Sequence, residues 1–208
     1  MEGAEADLRE LIASARRGDG AAQGELFGRY RVYLALLARM SLSRRLRGKL
    51  DASDIVQDVF VNAFRGFEAF RGETHEELVG WFKRILANRL ADANRRFVDN
   101  QRRQADRERS IEQIVERSSH ALRNLPAARG TSPSAGAHRR EVGILVADAL
   151  ASLKDDDREV IVLRSLEERD WDEVARLMDR TTDAVRSLWS RALQRLGDVL
   201  EEKRWSAP

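Results

Sequence analysis

Apolar residues recur every three to four positions along most of this chain, and no stretch of length shows strict alternation, so the pattern predicts helices and no sheet. Residues 8–17 read as a first helix, with Leu8, Leu11, Ile12 and Ala15 along one side. Gly18-Asp19-Gly20 breaks it, and Asp19 can cap a second helix. That helix spans 21–42, with Leu26, Tyr30, Tyr33 and Leu37 at helical spacing. A basic connector, residues 44–49, leads to Asp51-Ala52-Ser53-Asp54, which reads as a capping box with Asp51 as the cap and Asp54 at the third helical position. The helix it opens runs to Phe67. Ile55, Val56, Val59, Phe60, Ala63, Phe64 and Phe67 form its apolar stripe, leaving Asp54, Gln57, Asp58, Asn62 and Arg65 outside. A polar loop, residues 70–75, precedes a long helix over 76–104. Its apolar positions are Leu78, Trp81, Phe82, Ile85, Leu86 and Leu90, and its later turns are strongly basic.

Residues 118–138 hold two of the three Pro, two Gly and many Ser and Ala, the composition of a mobile linker. The charged stretch 106–117 before it reads as a fraying continuation of the helix. A last domain starts near Glu141, where Val142, Leu145, Val146, Ala149, Leu150 and Leu153 form one amphipathic helix. Asp155-Asp156-Asp157 is expected to cap the next, which buries Val160, Ile161 and Leu163. Two short helices joined by a tight turn come after it. The first is expected to bury Val174, Ala175 and Met178. The second is expected to bury Ala184, Val185 and Leu188, and to present Arg186, Ser187, Ser190 and Arg191 outward. That is the layout of a helix-turn-helix, whose second helix can enter a DNA major groove. The expected architecture is therefore all-α, with two helical domains, 1–105 and 141–203, joined by a flexible linker, 106–140.

Composition narrows the function. Charged residues make up 35% of the chain and hydrophobic ones 42%, which suits helices with modest cores and long solvated faces. With no Cys, disulfides and thiolate zinc sites are excluded, and His75, His120 and His138 lack metal-site spacing. No metal or other cofactor is expected. The start of the chain is acidic and polar, unlike a signal peptide, and no apolar run approaches the ~20 residues of a membrane span. A cytoplasmic protein without membrane insertion is expected, and the residues after Leu200 are too few for a large extra domain. The net charge of +2 hides an asymmetry. Residues 1–105 carry 19 Lys and Arg against 15 Asp and Glu, residues 106–140 carry 7 against 4, and residues 141–208 carry 11 against 16. DNA binding by the acidic C-terminal part must then rest on a local cationic face rather than on its net field.

Three segments stand in an order that resembles a known family. Asp54-Ile55-Val56-Gln57-Asp58-Val59-Phe60 looks like the polymerase-binding helix of bacterial RNA polymerase sigma factors. The run from Trp81 to Arg89 resembles their promoter-melting and recognition helix, and the C-terminal helix-turn-helix is similar to their reader of the upstream promoter element. With only these two domains, the chain resembles the minimal extracytoplasmic-function group. The resemblance implies a non-enzymatic subunit that binds core RNA polymerase, directs it to promoters and helps to open the duplex. It assigns polymerase binding to Asp54, Gln57 and Asp58, which four-residue spacing places on one helix face. It assigns the downstream element to Arg71, Trp81, Lys83, Arg84, Asn88, Arg89, Asp92, Arg95 and Arg96, with the 71–75 loop lying where the family holds a flipped base. It assigns the upstream element to Thr181, Thr182, Asp183, Arg186, Ser187, Ser190 and Arg191. Core packing is the competing role for Trp81 and Phe82. The resemblance also allows for an inhibitory anti-sigma factor. The chain departs from the family at Asp179, where Gly is usual, at Arg180, where a small apolar residue is common, and at Leu188-Trp189.

Two rival functions remain at this point. One is a stand-alone helix-turn-helix transcriptional regulator, which would normally dimerise on paired half-sites. The other is a helical adaptor that binds only protein, against which the basic turns from Arg95 to Arg103 count because they lack balancing acids. An enzyme finds no support: there is no glycine-rich phosphate loop, nucleophile–base pair or metal set.

Overall fold

The computed structural model describes residues 2–42, 49–97, 104–125 and 138–206. All regular structure among them is helical: α1 (Glu2–Arg16), α2 (Gly20–Ser41), α3 (Ala52–Gly66), α4 (His75–Phe97), α5 (Gln104–Arg123), α6 (His138–Ser152), α7 (Asp155–Ile161), α8 (Trp171–Leu177) and α9 (Thr182–Ser206). The chain divides into two compact units, residues 1–118 and 119–208. The first unit thus continues past residue 105. Residues 104–123 are helical, and Val115 and Ser118 are buried on that helix, so the expected linker is confined at most to the part after it. Residues 126–137, most of the Pro- and Gly-bearing stretch, lie outside the described residues, as do residues 44–48 of the basic connector and the Arg102–Arg103 end of the expected long helix.

In the first unit α1 packs on α2, α2 on α3 and α4, and α3 on α4. Local chemistry marks the ends. Gly18, at φ 90°, takes the left-handed position that terminates α1, and the Asp19 carboxylate accepts from the amides of Ala21 and Ala22 to start α2. Asp51 caps α3 as expected, accepting from the Ser53 amide at 2.9 Å. The core is aromatic. Phe27 stacks on Phe60 at 5.5 Å and meets Phe82 edge-on at 5.4 Å, and Phe82 is also within 5.3 Å of Tyr30. Phe64 departs from the expected stripe and is 55% exposed. The buried stripe of α3 centres on Val59 and Ala63, and Phe64 lies about 100° further round the helix.

The second unit packs α6, α7 and α8 against the long α9. The expected Asp155–Asp157 cap is not formed. Lys154 occupies the cap position without a side-chain bond, and the three acids fill the first turn, where they suit the helix dipole. Asp157 turns inward instead, accepting from Arg195 Nη1 at 2.7 and 2.8 Å. After Ile161 the helix widens into a π-type turn, Val162–Leu166, and Glu168 takes a left-handed φ of 54°. Leu145 is 39% exposed and Ala184 is exposed, contrary to expectation, whereas Val185, Ala192 and Leu196 hold α9 in the core.

The α8–α9 turn forms despite its unusual sequence. Asp179 sits at φ 50°, the Arg180 amide donates to the Ala175 carbonyl at 3.0 Å, and the Asp179 amide donates to the Arg176 carbonyl at 3.4 Å. This pair of bonds is the Schellman arrangement, with Asp where Gly is usual. Arg180, in place of an apolar residue, reaches out to Asp156 at 2.5 Å. A side chain in left-handed geometry carries a steric cost that Gly avoids. Asp179→Gly is therefore expected to stabilise the second unit by about 1 kcal/mol, a rise of roughly 4–8 °C in its melting temperature by calorimetry.

Candidate polymerase and nucleic-acid interfaces

The structure brings Asp54, Gln57 and Asp58 together on the exposed face of α3. Beside them an open groove of about 610 Å³ runs between α2 and α3, lined by Phe27, Ala35, Val56, Phe60, Val61 and Phe64, with Arg31 and Arg65 at its edges. Sequence reasoning missed this apolar component because it assigned Phe64 to the core. Val61, 43% exposed, lay outside the expected stripe and was the available signal.

The loop before α4 is built rather than merely polar. Thr74 and Glu77 form a full capping box: the Glu77 amide donates to Thr74 Oγ1 at 3.2 Å, while Glu77 Oε2 accepts from the amides of Glu73 and Thr74 at 2.9 and 3.1 Å and from Thr74 Oγ1 at 2.9 Å. Its Thr-x-x-Glu signature was present in the sequence and was overlooked. Phe70 anchors the other side of the loop, buried against Phe67 and Trp81 at 5.5 and 5.1 Å. Arg16 of α1 donates to the Gly72 carbonyl at 2.7 Å, and the Tyr30 hydroxyl and His75 Nδ1 lie 3.1 Å apart. Arg71 remains exposed, with Nη1 donating to the Glu68 carbonyl at 2.6 Å.

The backbone amide of Glu73, then the Thr74 hydroxyl and amide, hold the Glu77 carboxyl below its ordinary value of 4.5. In the unfolded chain that carboxyl protonates first as pH falls. The stabilisation is therefore complete above about pH 4.5 and is lost as pH drops through the lowered folded value. The expected result is that Glu77→Gln melts below wild type at pH 7, and that the gap closes on acidification below 4.5, read by thermal unfolding followed by circular dichroism.

Along α4, Arg84, Asn88, Arg95 and Arg96 are exposed. Trp81 is half-buried in the Phe67–Phe70–Phe82 cluster, so it supports the loop at least as much as it faces outward. Lys83 pairs with Glu116 of α5 at 2.5 Å. Asp92 accepts from Arg89 at 2.9 Å and also from Arg95. The expectation that the basic turns lack a balancing acid is therefore corrected: Asp92 lies three residues from each arginine, the spacing at which helix neighbours meet. Its charge orients them and lowers their net positive field.

In the second unit Asp170 caps α8 through the Glu173 amide at 2.7 Å, and Thr181 caps α9 through the Ala184 amide at 3.3 Å. Thr182 instead donates to Asp172 at 3.1 Å, tying the two helices together. Asp183, Arg186, Ser187, Ser190 and Arg191 are all at least partly exposed. Arg186, Ser187, Ser190 and Arg191 lie within about 140° of the helix circumference, one face able to enter a groove. Sequence reasoning missed Arg164, Ser165, Trp171 and Trp189, which cluster behind this face.

These two interfaces coincide with matched regions. The chain matches the family model of sigma-70 region 2 over residues 29–103 and that of sigma-70 region 4 over residues 144–196. It is similar to the ECF RNA polymerase sigma-E factor of Haemophilus influenzae, 27% identical over 194 residues that cover 92% of this chain and 94% of the relative. The sigma-E factor of Escherichia coli K12 is likewise 27% identical, over 92% and 93% of the two chains. The RNA polymerase sigma-H factor of Pseudomonas aeruginosa is 26% identical over 93% of each. Among solved structures, that of CnrH in complex with the cytosolic domain of CnrY is 26% identical, covering 94% of this chain and 97% of that one, at a TM-score of 0.35.

Helical units carrying both sigma regions, in that order, define a transcription initiation factor. The chain belongs to the sigma-70 family, in its extracytoplasmic-function group, and directs promoter-specific transcription. No described helix is long and apolar enough to cross a membrane.

Proposed function

We propose that the first unit binds core RNA polymerase through Asp54, Gln57 and Asp58 and handles the downstream promoter element through the Arg71–His75 loop and α4, while the second unit reads the upstream element through α9. The observation that carries the polymerase contact is the exposed acidic and amide stripe beside an exposed apolar groove. An apolar centre with a polar rim is the usual anatomy of a protein interface, and carboxylates there can take charge-assisted bonds from a basic partner.

On α4 the exposed Arg84, Arg95 and Arg96 supply phosphate contacts, and Asn88 is suited to a base edge. Lys83 joins them by giving up Glu116, and Asp92 positions Arg89 and Arg95 beside it. Trp81 lies under the loop as a stacking surface for an unpaired base. On α9, Arg186, Ser187, Ser190 and Arg191 face the groove, and Thr181, Thr182 and Asp183 set the helix start over the backbone. None of this requires bond-making chemistry, so the protein is read as a binding subunit and not an enzyme. The site of action is the cytoplasm, where polymerase and DNA are. An anti-sigma factor would hold the free protein by covering the same α2–α3 groove, an apolar patch of the kind that marks a docking surface.

The test is capture of core bacterial RNA polymerase by wild type and by Asp54→Arg/Asp58→Arg. Retention by wild type and loss of about 100-fold or more in affinity by the variant is expected, since charge reversal turns each attraction into repulsion. Equal capture by both would move the contact elsewhere on the molecule. Capture by neither would overturn the polymerase reading.

A further inference from the structure

We propose that Trp171 is a positioning residue for Arg186, holding its guanidinium ready for DNA, and that Trp189 and Ser165 hold Trp171 in turn. The inference rests on the reading of α9 as the groove-facing helix. Arg186 Cζ lies 5.7 Å from the centre of the Trp171 ring and Arg164 Cζ lies 4.8 Å from it. Both distances fall within the reach of the attraction between a cation and an indole face.

The ring is fixed from behind. Trp189 meets it edge-on at 5.6 Å and 83°, the arrangement favoured by aromatic quadrupoles, and the Trp189 indole N–H donates to Ser165 Oγ at 2.9 Å. Arg186 and Trp189 are three residues apart on α9, so both approach the same patch of α8. Ser165 sits on the π-type turn, where it accepts the Trp189 indole N–H of α9. The chain of contacts therefore runs from the turn through two indoles to one arginine.

The two cations over the ring differ in availability. Arg164 is half-buried and donates to the Arg169 carbonyl at 3.0 Å. Arg186 has 55% of its side chain exposed, and its carboxylate neighbour, Asp183, is 3.7 Å away and almost fully solvated, a pairing that restrains little. An arginine with many rotamers loses them on binding, and ordering it beforehand against a flat ring lowers that cost.

The experiment is a double-mutant cycle on the full chain with core polymerase. The probe is the tightest duplex that wild-type holoenzyme recovers from a randomised pool, and affinity is read by anisotropy. Arg186→Ala is expected to weaken binding at least about fivefold in the wild-type background. In a Trp171→Ala background the same change should cost about two- to fivefold less, the size of a surface cation–aromatic contact. Trp171→Leu keeps an apolar contact for Trp189 without the indole face, and should behave like Trp171→Ala while melting closer to wild type. Trp171→Tyr should restore most of the coupling.

If Arg186→Ala costs the same in every background, the positioning role is overturned and the groove-facing reading stands. If Trp171→Leu retains full coupling, an apolar support suffices and the proposal falls. If Arg186→Ala has no effect on the wild type, the groove-facing role of Arg186 falls as well, and the proposal with it.

Discussion

Phe82→Ala is expected to destabilise the first unit by about 3–5 kcal/mol, much of the total stability of a typical small domain. Phe82 is fully buried on α4, and its ring touches Phe27 and Tyr30 from α2, Phe60 from α3 and its neighbour Trp81. Removing it leaves a cavity at the junction of three helices, and four aromatic neighbours lose an edge or face partner together. Rigid rings refill such a space poorly, which places the cost near the upper end for a lost aromatic side chain. Urea unfolding should show the first transition moving to much lower denaturant, with the second unit's transition unchanged. A shift worth under about 1 kcal/mol would mean that the cluster repacks freely and does not organise α4.

Gly72→Ala should strike promoter opening more than assembly. A Cβ at residue 72 would run into the tip of the Phe70 ring and lie 2.7 Å from Glu77 Cβ. Phe70 could swing aside only by leaving its buried seat against Phe67 and Trp81, and Glu77 Cβ belongs to the first turn of α4. The loop must then move, with loss of the Arg16 bond to the Gly72 carbonyl and strain on the Thr74–Glu77 box. Overpacking of this kind costs about 1–3 kcal/mol. Open-complex formation, followed by permanganate reactivity of unpaired thymines, is expected to fall at least about tenfold, while capture of core polymerase stays within about twofold of wild type. Equal losses in both would show general unfolding, and no loss in either would show that the loop does not handle DNA.

Much of the helical layout was legible because the signals are local. Asp19 and Asp51 cap helices through amides two or three residues away, and the buried positions of α2 follow its apolar spacing. The interface faces were legible for the same reason: a helix turns about 100° per residue, so Asp54, Gln57 and Asp58 must share a side. Two local signals were present and missed. They are the Thr74-x-x-Glu77 box and the Asp92 pairing with Arg89 and Arg95, both spaced to meet on one helix. Phe64 was misplaced because an apolar residue one position past Ala63 fits a wide stripe on paper, whereas the real stripe is narrower. The tertiary role of Asp157 was not legible, since its partner Arg195 lies 38 residues away.

The sequence by itself determined that the protein is helical and two-part, which polar residues face outward on α3 and α9, and that the sigma regions lie in order, because these depend on periodicity and on neighbours within one turn. Only the tertiary structure decided what supports those faces. Arg16 on the Gly72 carbonyl, Phe82 among three helices, and Trp189 on Ser165 join residues 24–56 positions apart or on separate helices. Such pairs form only after packing has offset the entropy of bringing distant segments together, and no local pattern records them.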